Sequence, residues 1–306
     1  MAERRWRLKY AVLAPVGAGV TADPSWMTEF ARHVEACGFD DIVVVDHPLV
    51  IAGYQSRYPY DPSGRFDLAE DGDIPDPLEL LAFIAAQTQV LGLATGVLVL
   101  PHHHPVVLAK RVATLDRLSG GRVRLCVGVG WMREETEACG IDFASRGRRA
   151  DESIDVMRAL WAPSGPDGVS HQGEFFAFAG ALSFPKPLRP SGVPIHIGGH
   201  SPAAARRAGR RGDGFQPLGL SKADLADRLA VMRAEAQRAG RDPDLLEVSL
   251  GHQVGRITAS RVADLAELGA GRLVLSPSPV PDLGQVKDEI SACAQRLGLT
   301  PETHDE

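Results

Sequence analysis

The chain has 306 residues, 44% hydrophobic and 24% charged, with a formal net charge of −6. That length suits one α/β barrel, which typically takes about 250 residues, so residues 1–306 read as a single domain. The acidic balance and the lack of a basic stripe argue against nucleic acid as a partner. Cys37, Cys126, Cys139 and Cys293 form no C-x-x-C pair and fit no zinc ribbon. Cys37 and Cys126 lie in apolar patterns and read as buried thiols, which suits a reducing cytoplasm. Met1–Lys9 carries no apolar signal-peptide core. The most apolar stretch, Leu78–Leu100, is interrupted by Glu79, Gln87, Gln89 and two glycines, so it reads as helix, turn and strand rather than a membrane span.

Strand and helix patterns alternate along the whole chain. Leu8–Ala14 reads as a strand and Ser25–Cys37 as an amphipathic helix stopped by Gly38. Ile42–Val45 is a short β-branched strand, followed by a polar, Pro- and Gly-rich segment from His47 to Asp76. Pro77–Leu91 is helical, with Asp76 as N-cap before a proline at the first helical position. Leu93–Leu100, Val106–Leu118 and Val123–Val127 give the third strand, third helix and fourth strand, and the fourth helix lies near Arg148–Trp161. An irregular stretch, Ala162–Gly192, holds a hairpin-like His171-Gln-Gly-Glu-Phe-Phe. Then come strand Pro194–Ile197, helix Pro202–Gly209, strand Gly214–Pro217, helix Lys222–Ala239, strand Leu246–Leu250, helix Arg261–Leu268, strand Arg272–Leu275 and helix Leu283–Leu297.

Eight βα units with Val-, Ile- and Leu-rich strands predict a (β/α)₈ TIM barrel whose strands are buried on both faces. The insertions fall after strand 2 and between helix 4 and strand 5. A doubly wound sheet would need G-x-G-x-x-G after its first strand. Ala14-Pro15-Val16-Gly17-Ala18-Gly19 stands there instead.

In such a barrel, chemistry sits just after the strands, while helix-to-strand turns serve stability. Asp116–Arg122 is a helix-to-strand turn, so Gly120 and Gly121 read as turn glycines. Asp46-His47 follows the second strand. His47 is a residue type that can take or give a proton near neutral pH, and the competing reading is a histidine that caps the loop. Trp131 follows Gly128-Val129-Gly130 and is a candidate pocket wall. The run His102-His103-His104 cannot readily share one metal, because neighbours in extended chain alternate faces, so no metal site is expected. Ile197-Gly198-Gly199-His200-Ser201-Pro202 joins a strand to a helix start. Its glycines allow close backbone approach, and its free N–H groups favour an anion.

These segments together resemble the luciferase-like monooxygenase superfamily, most closely its actinobacterial type using the 5-deazaflavin coenzyme F-420. The resembling pieces are Val44–His47, Ser56–Tyr60, Thr95–Pro101, Leu108–Lys110 through Leu118–Arg122, Gly128–Glu135, Phe184–Pro187 and Pro194–Ala203. The resemblance implies a coenzyme across the barrel mouth, with a non-prolyl cis peptide against the ring. By position that bond is Gly96–Val97. It implies coenzyme contacts from Asp46, His47, Gly96, Val97, Leu98, Gly128, Gly130, Trp131, Gly198, Gly199, His200 and Ser201, with Gly198, Gly199 and Ser201 at the phosphate. His47 and Trp131 are the catalytic candidates, with His47 assisting hydride transfer. The related sugar-phosphate dehydrogenases carry a catalytic Glu after the fourth-strand glycines. Here Arg133 stands in that place, with Glu134 and Glu135 just beyond, so neither that acid nor a sugar-phosphate substrate carries over.

The resemblance further implies a homodimer acting on a small organic molecule. An FMN-dependent monooxygenase on the same scaffold, using O₂ and a flavin reductase, is the first alternative. A barrel that binds coenzyme without turnover is the second.

Overall fold

A computed structural model describes residues 7–66 and 72–300. Most of the amino-terminal segment and part of the His47–Asp76 insertion therefore lie outside the described residues. The barrel strands are β1 (Lys9–Leu13), β2 (Asp41–Val44), β3 (Gly92–Thr95), β4 (Leu98–Val99), β5 (Val123–Gly128), β8 (Ile195–Gly198), β9 (Gly214–Gln216), β10 (Glu247–Gln253) and β11 (Ala270–Ser276). All pair in parallel, and β1–β11 and β3–β5 pairings close the ring. Because β3 and β4 are two halves of one stave, the barrel has the eight staves that the sequence predicts. A separate antiparallel hairpin, β6 (Val169–Gln172) with β7 (Ala177–Ala181), fills the predicted insertion before β8.

The helices are α1 (Pro24–Ala36), α2 (Pro77–Gln87), α3 (Pro105–Leu118), α4 (Arg133–Ala138), α5 (Arg146–Trp161), α6 (Pro202–Arg211), α7 (Lys222–Arg238), α8 (Ala259–Glu267) and α9 (Leu283–Leu297). Asp76 caps α2 as predicted, accepting from Leu78 N at 2.8 Å. Asp23 does the same for α1, which also starts on a proline. Such caps satisfy N–H groups that the helix leaves unpaired and are worth about 1 kcal/mol each. Phe30, Leu81, Leu93, Leu125 and Phe215 pack between strands and helices with no exposed surface. No helix among the described residues is long and apolar enough to cross a membrane.

Four expectations need correction. The third strand is not continuous: Gly96–Val97 is a cis peptide, at the position implied by the resemblance, and it separates β3 from β4. The second helix ends at Gln87 because Thr88 is extended and turns its hydroxyl back onto Ile84 O. Cys37 is only half-buried, with Sγ 3.5 Å from His33 Nε2, whereas Cys126 is fully buried. Finally, the strands are apolar only towards the helices. Their inward face carries Ala11, Val43, Ala94 and Val274, but also Asp41, Arg124, His196, Ser249 and Arg272, all buried.

Candidate active site

The break in the third stave is stitched from both sides. Thr95 Oγ1 donates to Cys126 O at 2.7 Å and accepts from Cys126 N at 3.0 Å, which replaces ladder bonds lost at the break. On the other side Asp46 Oδ2 accepts from Val99 N at 2.8 Å and lies 2.9 Å from His103 Nε2. Asp46 is buried and turned away from His47, as alternation along an extended chain requires. Its Oδ2 holds the resumed strand, β4, in shape. Leu98, also expected at the coenzyme, has no exposed side chain and packs in the helix-facing core.

Gly96, Gly128 and Gly198 meet around this break. A Cβ on Gly128 would lie 2.7 Å from a Val97 methyl, and one on Gly198 would overlap the other Val97 methyl. Val97 therefore rests on two side-chain-free stretches of neighbouring staves, and the floor of the barrel mouth is backbone and methyl groups. Gly130 continues the chain at φ +83°, a left-handed turn that suits glycine. It leads into Trp131 and then α4.

Helix α4 supplies what sequence spacing missed. Arg133, at the place of the expected acid, faces outward: it pairs with Glu137 at 3.1 Å and lies over the Phe143 ring at 4.4 Å. Glu135 points inward with no exposed surface, and its Oε1 lies 3.0 Å from His47 Nδ1. The His47 side chain is 9% exposed. Glu135 Oε2 is buried without a partner. Trp131 precedes α4, so no i, i+4 relation to a known pocket residue marks the face of Glu135. A six-residue helix is too short for its periodicity to stand out.

The three histidines 102–104 take three directions. His102 Nε2 lies 3.1 Å from Thr136 Oγ1 on α4, His103 engages Asp46, and the His104 ring meets Phe176 at 5.3 Å. They brace the loop and do not converge. Burial lowers the pKa of His102.

The segment after β2 folds over the mouth. Trp131 is ringed by Tyr58 at 5.1 Å, Tyr54 at 5.4 Å and Phe66 at 6.2 Å, and Phe66 also lies 5.0 Å from the His47 ring. Tyr60 meets His200 at 5.2 Å. Burial pushes the Tyr60 hydroxyl up to about 12, and burial next to Arg228 lowers His200. Glu134 pins this lid by accepting from Gln55 N at 2.7 Å, Ser56 N at 3.1 Å and Ser56 Oγ at 2.6 Å. The Ser56 bond, helped by the two N–H groups, brings Glu134 down from 4.5 to about 2. A carboxylate with a depressed pKa contributes fully at neutral pH and loses its contribution as pH falls from 4.5 through 2. Glu134→Ala should therefore speed amide exchange at Gln55 and Ser56 about tenfold or more at neutral pH. The wild type should begin to match it only as pH drops below 4.5. Unchanged exchange in the variant would mean that the rings alone hold the lid.

At the far side of the mouth, Gly199 has φ +125° and Ser201 caps α6, its Oγ accepting from Ala204 N at 3.1 Å. Pro202 has no N–H and Ala204 N is taken by Ser201, so the Ser201 hydroxyl hydrogen and the Ala203 amide are the donors left at the start of α6. Trp131 Nε1, His200 Nδ1 and Gln216 Oε1 are buried without partners. Thus the structure brings His47, Val97, Gly128, Trp131, Gly198, Gly199, His200 and Ser201 to the carboxyl ends of the strands, where barrel enzymes bind ligands.

A family model described as luciferase-like monooxygenase matches residues 7–264. An uncharacterized protein of Mycobacterium tuberculosis is 32% identical over 224 residues, 73% of this chain and 76% of that one. An F-420-dependent glucose-6-phosphate dehydrogenase of Segniliparus rotundus is 30% identical over 241 residues, 75% and 65% of the two chains. Among solved structures, a monooxygenase from Streptomyces bottropensis superposes with a TM-score of 0.75 over 95% of this chain and 98% of its own, at 19% identity.

Proposed function

The chain belongs to the luciferase-like monooxygenase family, and on that premise we propose that it is an F-420-dependent oxidoreductase acting on a small organic substrate, with His47 and Glu135 handling the proton. The observation that carries this reading is the 3.0 Å contact between His47 Nδ1 and a fully buried Glu135 at the barrel mouth. The relative named as F-420-dependent and the Asp46-His47-Pro48 context favour the deazaflavin over FMN.

The residues fit such a coenzyme. Gly128 and Gly198 give their space to the Val97 methyls, which would present an apolar back wall to a flat ring. Trp131 Nε1, His200 Nδ1 and Gln216 Oε1 are buried polar atoms in want of partners. Gly199, the Ser201 hydroxyl and the Ala203 amide would hold the phosphate. When bound, a deazaflavin supplies hydride transfer without oxygen activation.

The chain's own residues supply the rest. With Glu135 ionised, His47 Nδ1 donates to it, and His47 Nε2 is left to accept a proton from a substrate hydroxyl as the hydride departs. In reduction the same atom returns the proton. Glu135 fixes the ring's tautomer and orientation, as a carboxylate behind a catalytic imidazole does. Trp131, Tyr54, Tyr58 and Phe66 shut water out and offer an apolar wall to the substrate.

Parallel titration with F-420 and FMN tests this reading. F-420 should bind at least about tenfold more tightly, a difference of about 1.4 kcal/mol. Tighter FMN binding with oxygen consumption on adding a flavin reductase would replace it by the monooxygenase reading. Tight F-420 binding with no loss of function on replacing His47 would replace it by a non-catalytic coenzyme-binding barrel.

A further inference from the structure

We propose that the lower lumen of the barrel, beneath the coenzyme floor, holds one small monovalent anion of the chloride class, on the Arg124 guanidinium with the Ser249 hydroxyl and His196 Nδ1 as further donors. Arg124 lies on β5 with its side chain in the barrel interior, and it is 6% exposed. Its Nε, Nη1 and Nη2 are all buried without a hydrogen-bond partner. A guanidinium presents five N–H donors and stays charged, so it cannot escape this environment by losing a proton. A buried cation with no partner is too costly to persist, and a counter-ion or water must meet it.

The neighbours show which. In an eight-stranded barrel, alternate strands contribute four inward side chains to each layer. The pairing registers put Ala11, Ala94, His196 and Ser249 in one layer, and Asp41, Arg124, Gly214 and Arg272 in the next towards the amino ends. Two alanines leave these layers short of side-chain volume, while the His196 ring takes the space that Gly214 gives up. Two further polar atoms on these inward side chains, His196 Nδ1 and Ser249 Oγ, are buried and without partners. Gly214 is required there: a Cβ would lie 2.5 Å from His196 Nδ1. Five orphaned polar atoms on three side chains thus fall in two adjacent layers.

The charge balance has the matching sign. The described residues of the lumen include three cations, Lys9, Arg124 and Arg272, and two carboxylates, Asp41 and Glu247. Arg272 takes both carboxylates, pairing with Asp41 and lying 2.7 Å from Glu247. Glu247 also reaches Arg124 electrostatically, but no carboxylate hydrogen-bonds to Arg124, and one positive charge stays unbalanced. His196 adds no charge, because burial and then Arg124 and Lys9 hold its pKa well below the usual value. One positive charge and a set of donors call for one negative ion. The packed strands around it favour a halide over a larger oxyanion.

The test has two arms. In crystals of the whole protein grown in sodium bromide, an anomalous peak should appear within hydrogen-bond distance of Arg124. In solution, melting temperature should rise by about 5 °C or more with sodium chloride compared with equal sodium gluconate. Arg124→Met should abolish that difference. If Arg124→Met does not fold, Ser249→Ala, which keeps the cation, should at least halve the chloride effect. Ordered waters alone around Arg124 in the bromide crystals, a direct Arg124–Glu247 pair there, or equal melting in chloride and gluconate would each overturn the proposal.

Discussion

His47→Gln should cut turnover by about a hundredfold or more, the usual scale for a general acid–base group, while coenzyme affinity and melting temperature stay near the wild type. The choice of substitution follows from the structure. Glu135 has no exposed surface and His47 is the partner of its Oε1. Alanine at 47 would leave a buried carboxylate alone, and removing one member of a buried pair typically costs about 3–5 kcal/mol. His47→Ala should therefore lose turnover and stability together, which separates chemistry from structure poorly. Glutamine retains an N–H donor for Glu135 but cannot carry a proton between substrate and solvent. Glu135→Gln is the companion variant. It should reduce turnover less, because the amide oxygen can still accept from His47 Nδ1 and keep the ring in place. A His47→Gln protein with normal turnover would show that His47 only anchors α4 to the strand end.

Gly96→Ala should lower the melting temperature by about 5 °C or more, and Gly96→Val should prevent folding or nearly so. From the sequence alone, Gly96→Val is expected to act mainly on coenzyme binding. The structure reverses that order. A Cβ on Gly96 would overlap a methyl of Val43, which has no exposed surface and sits inside the barrel with Ala11, Ala94 and Val274. Interiors packed at crystal-like density cannot absorb a methyl without moving side chains or backbone. The suppressor follows directly: Val43→Ala in the Gly96→Ala background should restore part of the lost stability, although Val43→Ala alone costs some. If the double variant melts below both single ones, the crowding between these two residues is not the cause.

The sequence by itself determined the barrel, its eight staves, both insertions, the cap at Asp76, and the position of His47 after β2. These are local properties. Periodicity, turn glycines and prolines, and the distance of a residue from a strand end are all carried by near neighbours in the chain. Tertiary structure alone decided three things. Glu135 is the partner of His47 across 88 positions, and a six-residue helix could not announce its inward face. Asp46 and Thr95 mend a broken stave, which depends on the strand registers on either side. Arg124, His196 and Arg272 share a charged lumen although they stand in strands that read as apolar. A strand buried on both faces shows no alternation to reveal which face meets the helices and which meets the barrel axis. That choice belongs to closure of the sheet, where each inward side chain is answered by residues from other strands, and no one-dimensional pattern contains it.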